Sequence, residues 1–177
     1  MKVKAALVLG ILALAVAPFA SAQNRISGSL VSFEEVPSVS SVATGKFDAQ
    51  INANETAIDW ELSYADLEGA VQQAHIHFGQ TAVNGGITVF LCTNLGNGPA
   101  GTQPCPAPPA TISGTILAAD VSPNIPATAA ARTQGINTGE LAELIRAIRA
   151  GVTYVNVHST LWPGGEIRSQ VGPGHSH

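Results

Sequence analysis

The chain has 177 residues, 8 Lys+Arg against 12 Asp+Glu, a formal net charge of −4 and a charged fraction of only 11%. A chain of this length can bury one sufficient core and reads as one domain. Its acidic balance argues against nucleic acid or an anionic membrane surface as a partner.

The N-terminus carries the pattern of an export signal. Lys2 and Lys4 precede an apolar run from Ala5 to Ala17, Pro18 breaks it, and Ala20-Ser21-Ala22 has the small-x-small form of a cleavage site. The expectation is a secretory signal peptide over residues 1–22, cut after Ala22, and a secreted, periplasmic or extracellular mature protein. The run falls short of the roughly 20 residues that a spanning helix needs, and no other stretch is long and apolar enough, so no membrane span is expected after cleavage. Losing Lys2 and Lys4 leaves 6 Lys+Arg against 12 Asp+Glu, a mature net charge of −6.

Strands dominate the rest of the chain. Arg25 to Phe33 alternates in places and ends at EEVPSV, where Pro37 suggests an edge or a bend. Ala43 to Asn52 sets Phe47, Ala49 and Ile51 against Lys46, Asp48 and Gln50, and Ala57 to Tyr64 sets Ile58, Trp60, Leu62 and Tyr64 against Asp59, Glu61 and Ser63. The turn residues 52–55 join these two into a hairpin or meander. Val71 to Phe78 is the next strand; Asn84-Gly85-Gly86 is a turn before the β-branched run Ile87 to Cys92. Thr111 to Leu117 alternates again. One helix is expected, opened by Asn137 with Glu140 three residues on, striped by Leu141, Leu144, Ile145 and Ile148, and stopped at Gly151. Arg146 and Arg149 in its last turn read as a solvated face. Thr153 to Ser159 and Gly165 to Val171 close the domain. The sum is a mainly β fold, an antiparallel β-sandwich or barrel with one late α-helix, over residues 23–171. The His-containing tail, residues 172–177, is expected to be a flexible segment.

Cys92 and Cys105 flank a loop of turn residues, and neither lies in a CxxC pair. In an exported chain they are expected to form one local disulfide rather than a thiolate metal site.

The five histidines carry the chemistry. His75 and His77 form His-x-His in AHIHFG; on a strand both rings project from one face. His158 ends YVNVH, sharing a strand face with Tyr154 and Asn156. If the two strands are neighbours, three imidazoles converge into a metal site suited to copper, or to zinc as second choice. The bland alternative is cross-sheet hydrogen bonding, with His158 pairing Glu166 and Arg168 pairing Glu166 or Glu34. His175 and His177 in the tail offer a weak adventitious site. No hydrolase elbow or phosphate loop is visible.

The runs FEEVPSV, ATG at residues 43–45, AHIHFG, YVNVHS and PGGEIRSQV at residues 163–171 resemble, in order, the CHRD domain named after chordin. This resemblance implies an all-β domain without an established catalytic activity. It favours an exported, non-catalytic binding or interaction module whose partner is an unspecified protein or small ligand. AHIHFG and YVNVH also resemble the copper strands of copper–zinc superoxide dismutase, which implies a superoxide-dismutase-like sandwich, His75, His77 and His158 as copper ligands, and Arg168 as an anion guide. No histidine lies between Phe78 and Tyr154 to bridge two metals, so the analogy extends to a mononuclear site. The alternative function is then a copper carrier or a superoxide-dismutase-like redox protein.

Overall fold

The computed structural model describes residues 24–174. The expected signal peptide and the tail histidines His175 and His177 lie outside these residues. Eight strands form one antiparallel sheet: β1 Arg25–Val31, β2 Thr44–Ile51, β3 Ile58–Ala65, β4 Val71–Phe78, β5 Gly86–Thr93, β6 Ala110–Ile116, β7 Thr153–Ser159 and β8 Ile167–Val171. Their order is β5-β4-β7-β8-β1-β2-β3-β6. The sheet curls into a nearly closed barrel, so the expected mainly β architecture holds.

The alternation in the sequence decides which face turns inward. Phe47, Ala49 and Ile51 of β2 and Ile58, Trp60, Leu62 and Tyr64 of β3 are buried together, with Ala74 and Ile76 of β4, Val89 and Leu91 of β5, and Val155 and Val157 of β7. The β2–β3 hairpin pairs in unbroken register from Thr44 opposite Ala65 to Ile51 opposite Ile58.

Strands β5 and β6 are the two ends of the sheet order, and the Cys loop covers the seam between them. The Cys92–Cys105 disulfide holds this loop against β5. Thr93 N donates to Gln103 O, and the Gln103 side-chain amide donates both to Leu91 O on β5 and to Ser113 O on β6. An exposed strand edge invites pairing with other chains; here a stapled loop occupies part of it.

Among the described residues two α-helices lie outside the sheet, α1 Ala129–Thr133 and α2 Leu141–Arg149. The apolar stripe of α2 is buried as expected, through Leu141, Leu144, Ile145 and Ile148. Its start differs from the expectation. Glu140 does reach back to accept from Asn137 N at 2.7 Å, but Gly139 at φ +85° turns the chain between them, and the helix begins at Leu141. The Ala-rich stretch near residue 130 becomes the short α1. Arg146 is exposed and pairs with Glu143, as a solvated face requires, whereas Arg149 is half-buried and ties the helix to Glu55 and Asn24.

The disulfide yields a direct test. Thiol labelling of the denatured, unreduced protein should find no free cysteine. A Cys92→Ala/Cys105→Ala double variant should lose about 3 kcal/mol in urea unfolding, the loop-entropy figure for a closed loop of this size. An unchanged unfolding midpoint would mean that the non-covalent clasp around Gln103 is sufficient.

Candidate metal centre

The register of β4 against β7 builds the site. His75 stands opposite Asn156, His77 opposite Tyr154 and Gln73 opposite His158. The two histidine-bearing strands are therefore direct neighbours, and one ring nitrogen from each of His75, His77 and His158 lies within 4.8 Å of the others. The rings stand on the face opposite Ala74, Ile76, Val155 and Val157, away from the apolar core. Between β4 and β5 the pairing slips twice, between Ala74 and His75 and between Ile76 and His77. Such bulges re-aim side chains. Here the slip places Phe90 edge-on against the His75 ring, with centroids 4.4 Å apart.

This outer face is not solvated. His75 is 0%, His77 7% and His158 6% exposed. The segments covering it are tied down by the site residues themselves. The Gly79–Gly85 loop is held by Arg168, whose guanidinium donates to Gln80 O, Val83 O and Asn84 Oδ1, and by Gln170, which donates to Gly79 O. Asn84 in turn donates to Val36 O in the EEVPSV segment. The turn after β7 is held at Pro163 by His158.

Each ring has a fixed environment. His77 Nδ1 donates to Gly85 O at 2.9 Å, leaving a buried Nε2 without a hydrogen-bond partner. His158 Nδ1 lies 2.9 Å from Pro163 O, and its Nε2 lies 3.3 Å from His75 Nδ1 and 3.0 Å from Asn156 Oδ1. His75 Nε2 is also buried without a partner. A backbone carbonyl on Nδ1 is the second contact that orients a metal-ligating histidine and directs its Nε2 lone pair at an ion. The 3.3 Å separation suits two ligands of one small ion, since tetrahedral bonds of about 2.0–2.1 Å put ligand atoms about 3.3 Å apart.

Burial keeps these rings neutral. His75 is held well below its ordinary value by desolvation, reinforced by His158 and His77. His77 is pushed down to about 3, again chiefly by desolvation, against the opposing bond to Gly85. His158 is lowered by desolvation as well. Neutral imidazole is the metal-binding form.

Sequence reasoning marked the residues around this trio only in part: Tyr154 and Asn156 by strand face, Arg168 as an anion guide, and Glu35 not at all. Tyr154 stacks on His77, with centroids 4.6 Å apart and planes at 5°. Arg168 lies over the Tyr154 ring at 3.5 Å and is itself only 1% exposed. Glu35 is buried and its carboxyl raised to about 7 by desolvation, partly offset by a hydrogen bond from Asn156 at 3.3 Å and by Arg168. Gly165, at φ +131°, makes room for it: a Cβ there would lie 2.1 Å from Glu35 Oε1. The strand alternation already placed Tyr154 and Asn156 on the face of His158; nothing local marked Glu35. Glu166, an expected partner of His158, instead accepts from Ser41 Oγ and Glu68 N.

These shifts set a pH dependence for the metal-free protein. Histidines lowered in the folded state bind fewer protons than in the unfolded chain, so stability falls as pH drops below about 6.5. Glu35 acts oppositely, gaining stability as pH falls from 7 towards 4.5. Three histidines outweigh one carboxyl, and below pH 4.5 Glu35 no longer compensates. Urea midpoints of metal-free protein should therefore fall between pH 6.5 and 4, most steeply at the acid end. His77→Phe should flatten that slope relative to the parent; parallel slopes would contradict the assignment of His77 as a buried neutral ring.

Comparison with known proteins places this geometry in a family. No curated protein and no solved structure matches the chain. A family model, that of the CHRD domain, matches residues 26–171. That span runs from β1 through β8 and includes every residue of the histidine site, and on it the chain belongs to the CHRD domain family.

Proposed function

We propose that this protein is an exported, non-catalytic CHRD binding module that holds one copper ion, or zinc as second choice, on His75, His77 and His158. One observation carries the metal: three neutral imidazoles converge within 4.8 Å, two of them with Nδ1 set against a backbone carbonyl. Family membership supports the binding role. The disulfide fits an oxidising compartment, and among the described residues no helix is long and apolar enough to cross a membrane.

The dismutase-like reading needs Arg168 to attract an anion. Its surroundings favour a different job. The guanidinium is spent on three oxygens of the 79–85 loop and on the Tyr154 ring. It borders a hollow of about 240 Å³ that it shares with Glu35 and with Glu34, whose carboxylate repels anions. Arg168 serves this site as a clamp on its covering loop, and the ion as a held ligand rather than a redox centre.

Metal analysis and copper titration calorimetry test the site. Replacing His75, His77 or His158 singly by Ala should weaken copper binding by roughly 100-fold or more, beyond what loss of an outer contact costs. Removing residues 172–177 should change it little, because the three strand histidines already converge within 4.8 Å without the tail. If only the tail deletion matters, the strand histidines are not ligands. Superoxide consumption by the copper-loaded protein should not exceed that of buffer; turnover that falls in Arg168→Ala would instead establish the redox reading.

A further inference from the structure

We infer that Asn156 is a fourth ligand of this centre, its side-chain oxygen completing a three-nitrogen, one-oxygen set, and that Glu35 is the positioning residue that aims it. The inference rests on the three-histidine site proposed above.

The lone pairs around His158 are in conflict. His158 has an oxygen at hydrogen-bond distance from each ring nitrogen, Pro163 O at 2.9 Å from Nδ1 and Asn156 Oδ1 at 3.0 Å from Nε2. A neutral imidazole has one N–H. Whichever nitrogen carries it, the other points its lone pair at an acceptor. Two protons would satisfy both oxygens, but burial disfavours the cationic ring. A metal ion satisfies them differently. With Nδ1–H given to Pro163 O, Nε2 and Asn156 Oδ1 both become donors to one cation, and their 3.0 Å separation is that of adjacent ligands on an ion bound at about 2.0–2.2 Å. His75 Nδ1, at 3.3 Å from the same Nε2, lies at a comparable ligand spacing.

Glu35 decides which end of the amide points inward. Its Oε1 accepts from Asn156 Nδ2 at 3.3 Å, which turns Oδ1 towards His158. Glu35 reaches this position because residue 165 is a glycine: a Cβ there would lie 2.1 Å from its Oε1. Asn156 is 2% and Glu35 4% exposed. A buried carboxylate on the far side of a ligand also offsets the charge of an ion held otherwise by neutral groups. The EEVPSV segment, remote in sequence from the histidines, thereby acts on the metal through one amide.

The test uses the full chain with His175→Ala and His177→Ala, so that only the strand site reports. Copper is the probe, read by calorimetry and by electron paramagnetic resonance, with deuterium modulation in D2O to detect a copper-bound water. The parent should bind one ion with no directly bound exchangeable water. Asn156→Leu should weaken binding about 10–100-fold and admit a water at the vacated position. The double variant Asn156→Asp/Glu35→Gln reverses the donor and acceptor between residues 35 and 156 while keeping an oxygen towards the ion. It should recover most of the affinity and exclude the water, with g and hyperfine values displaced by the added negative ligand. Asn156→Leu binding copper like the parent, with an unchanged spectrum, would overturn the fourth ligand while leaving the three histidines intact. A double variant as weak as Asn156→Leu would overturn it too, and this variant decides the matter alone if Asn156→Leu does not fold. A parent that binds no copper would overturn the three-histidine reading and this inference together.

Discussion

The β4–β7 register is the constraint on which the rest of this structure depends. Because side chains alternate with period two, one register sends Ala74, Ile76, Val155 and Val157 into the apolar core and His75, His77, Tyr154, Asn156 and His158 to the other face. A slip by one residue would bury polar rings in the apolar core and turn the valines out under the covering loops. The core therefore enforces the site: the hydrophobic free energy of four apolar side chains, about 1.5–3 kcal/mol for each of the larger ones, holds the imidazoles in place before any ion is considered. Ligands positioned this way have little conformational freedom left to lose on binding.

The second requirement is exclusion of water, and the sheet alone does not supply it. The outer face of a barrel strand is ordinarily wet. Here the 79–85 loop, the EEVPSV segment and the Pro163 turn close over it, each anchored by a residue of the same face: Arg168 and His77 to the first, Asn156 to the second through Glu35, His158 to the third. The anchors and the site are thus one network. Removing an anchor wets the site, and wetting the site lets the rings take up protons. That coupling is why burial dominates every histidine shift.

Much of this is legible from periodicity. The strands carrying His75, His77 and His158 have the ranges that the alternation implies, and Tyr154 and Asn156 fall on the face that the alternation assigns. The disulfide is legible from compartment and loop composition. The features that escape the sequence are long-range and small. The two slips on β5 that bring Phe90 to His75 leave no mark in a run that is apolar almost throughout, GITVFLCT. The start of α2 at Leu141 turns on one glycine at positive φ. Glu35 lies 121 residues from Asn156, and an acidic pair before a proline reads as surface until the fold turns it inward. Gly165 reads as the first residue of the last strand, whereas its missing side chain is the space that Glu35 fills.

The charge around the centre is set by the same burial. Arg168 brings a cation to within stacking distance of Tyr154, which itself stacks on His77. Adding a metal cation beyond that stack, in a poorly hydrated space, would be unfavourable without nearby negative charge. Glu34 and Glu35 are the carboxylates that act on Arg168, and Glu35 alone reaches the histidines, through Asn156. Its carboxyl is raised chiefly by desolvation, against the lowering effect of Asn156 and Arg168. An ion on the far side of Asn156 would add a second nearby positive charge to that of Arg168. In the proposed site the buried acid and the three imidazoles would meet one requirement together: ligands that are neutral to bind, and a counter-charge one residue behind them to offset the charge of the ion.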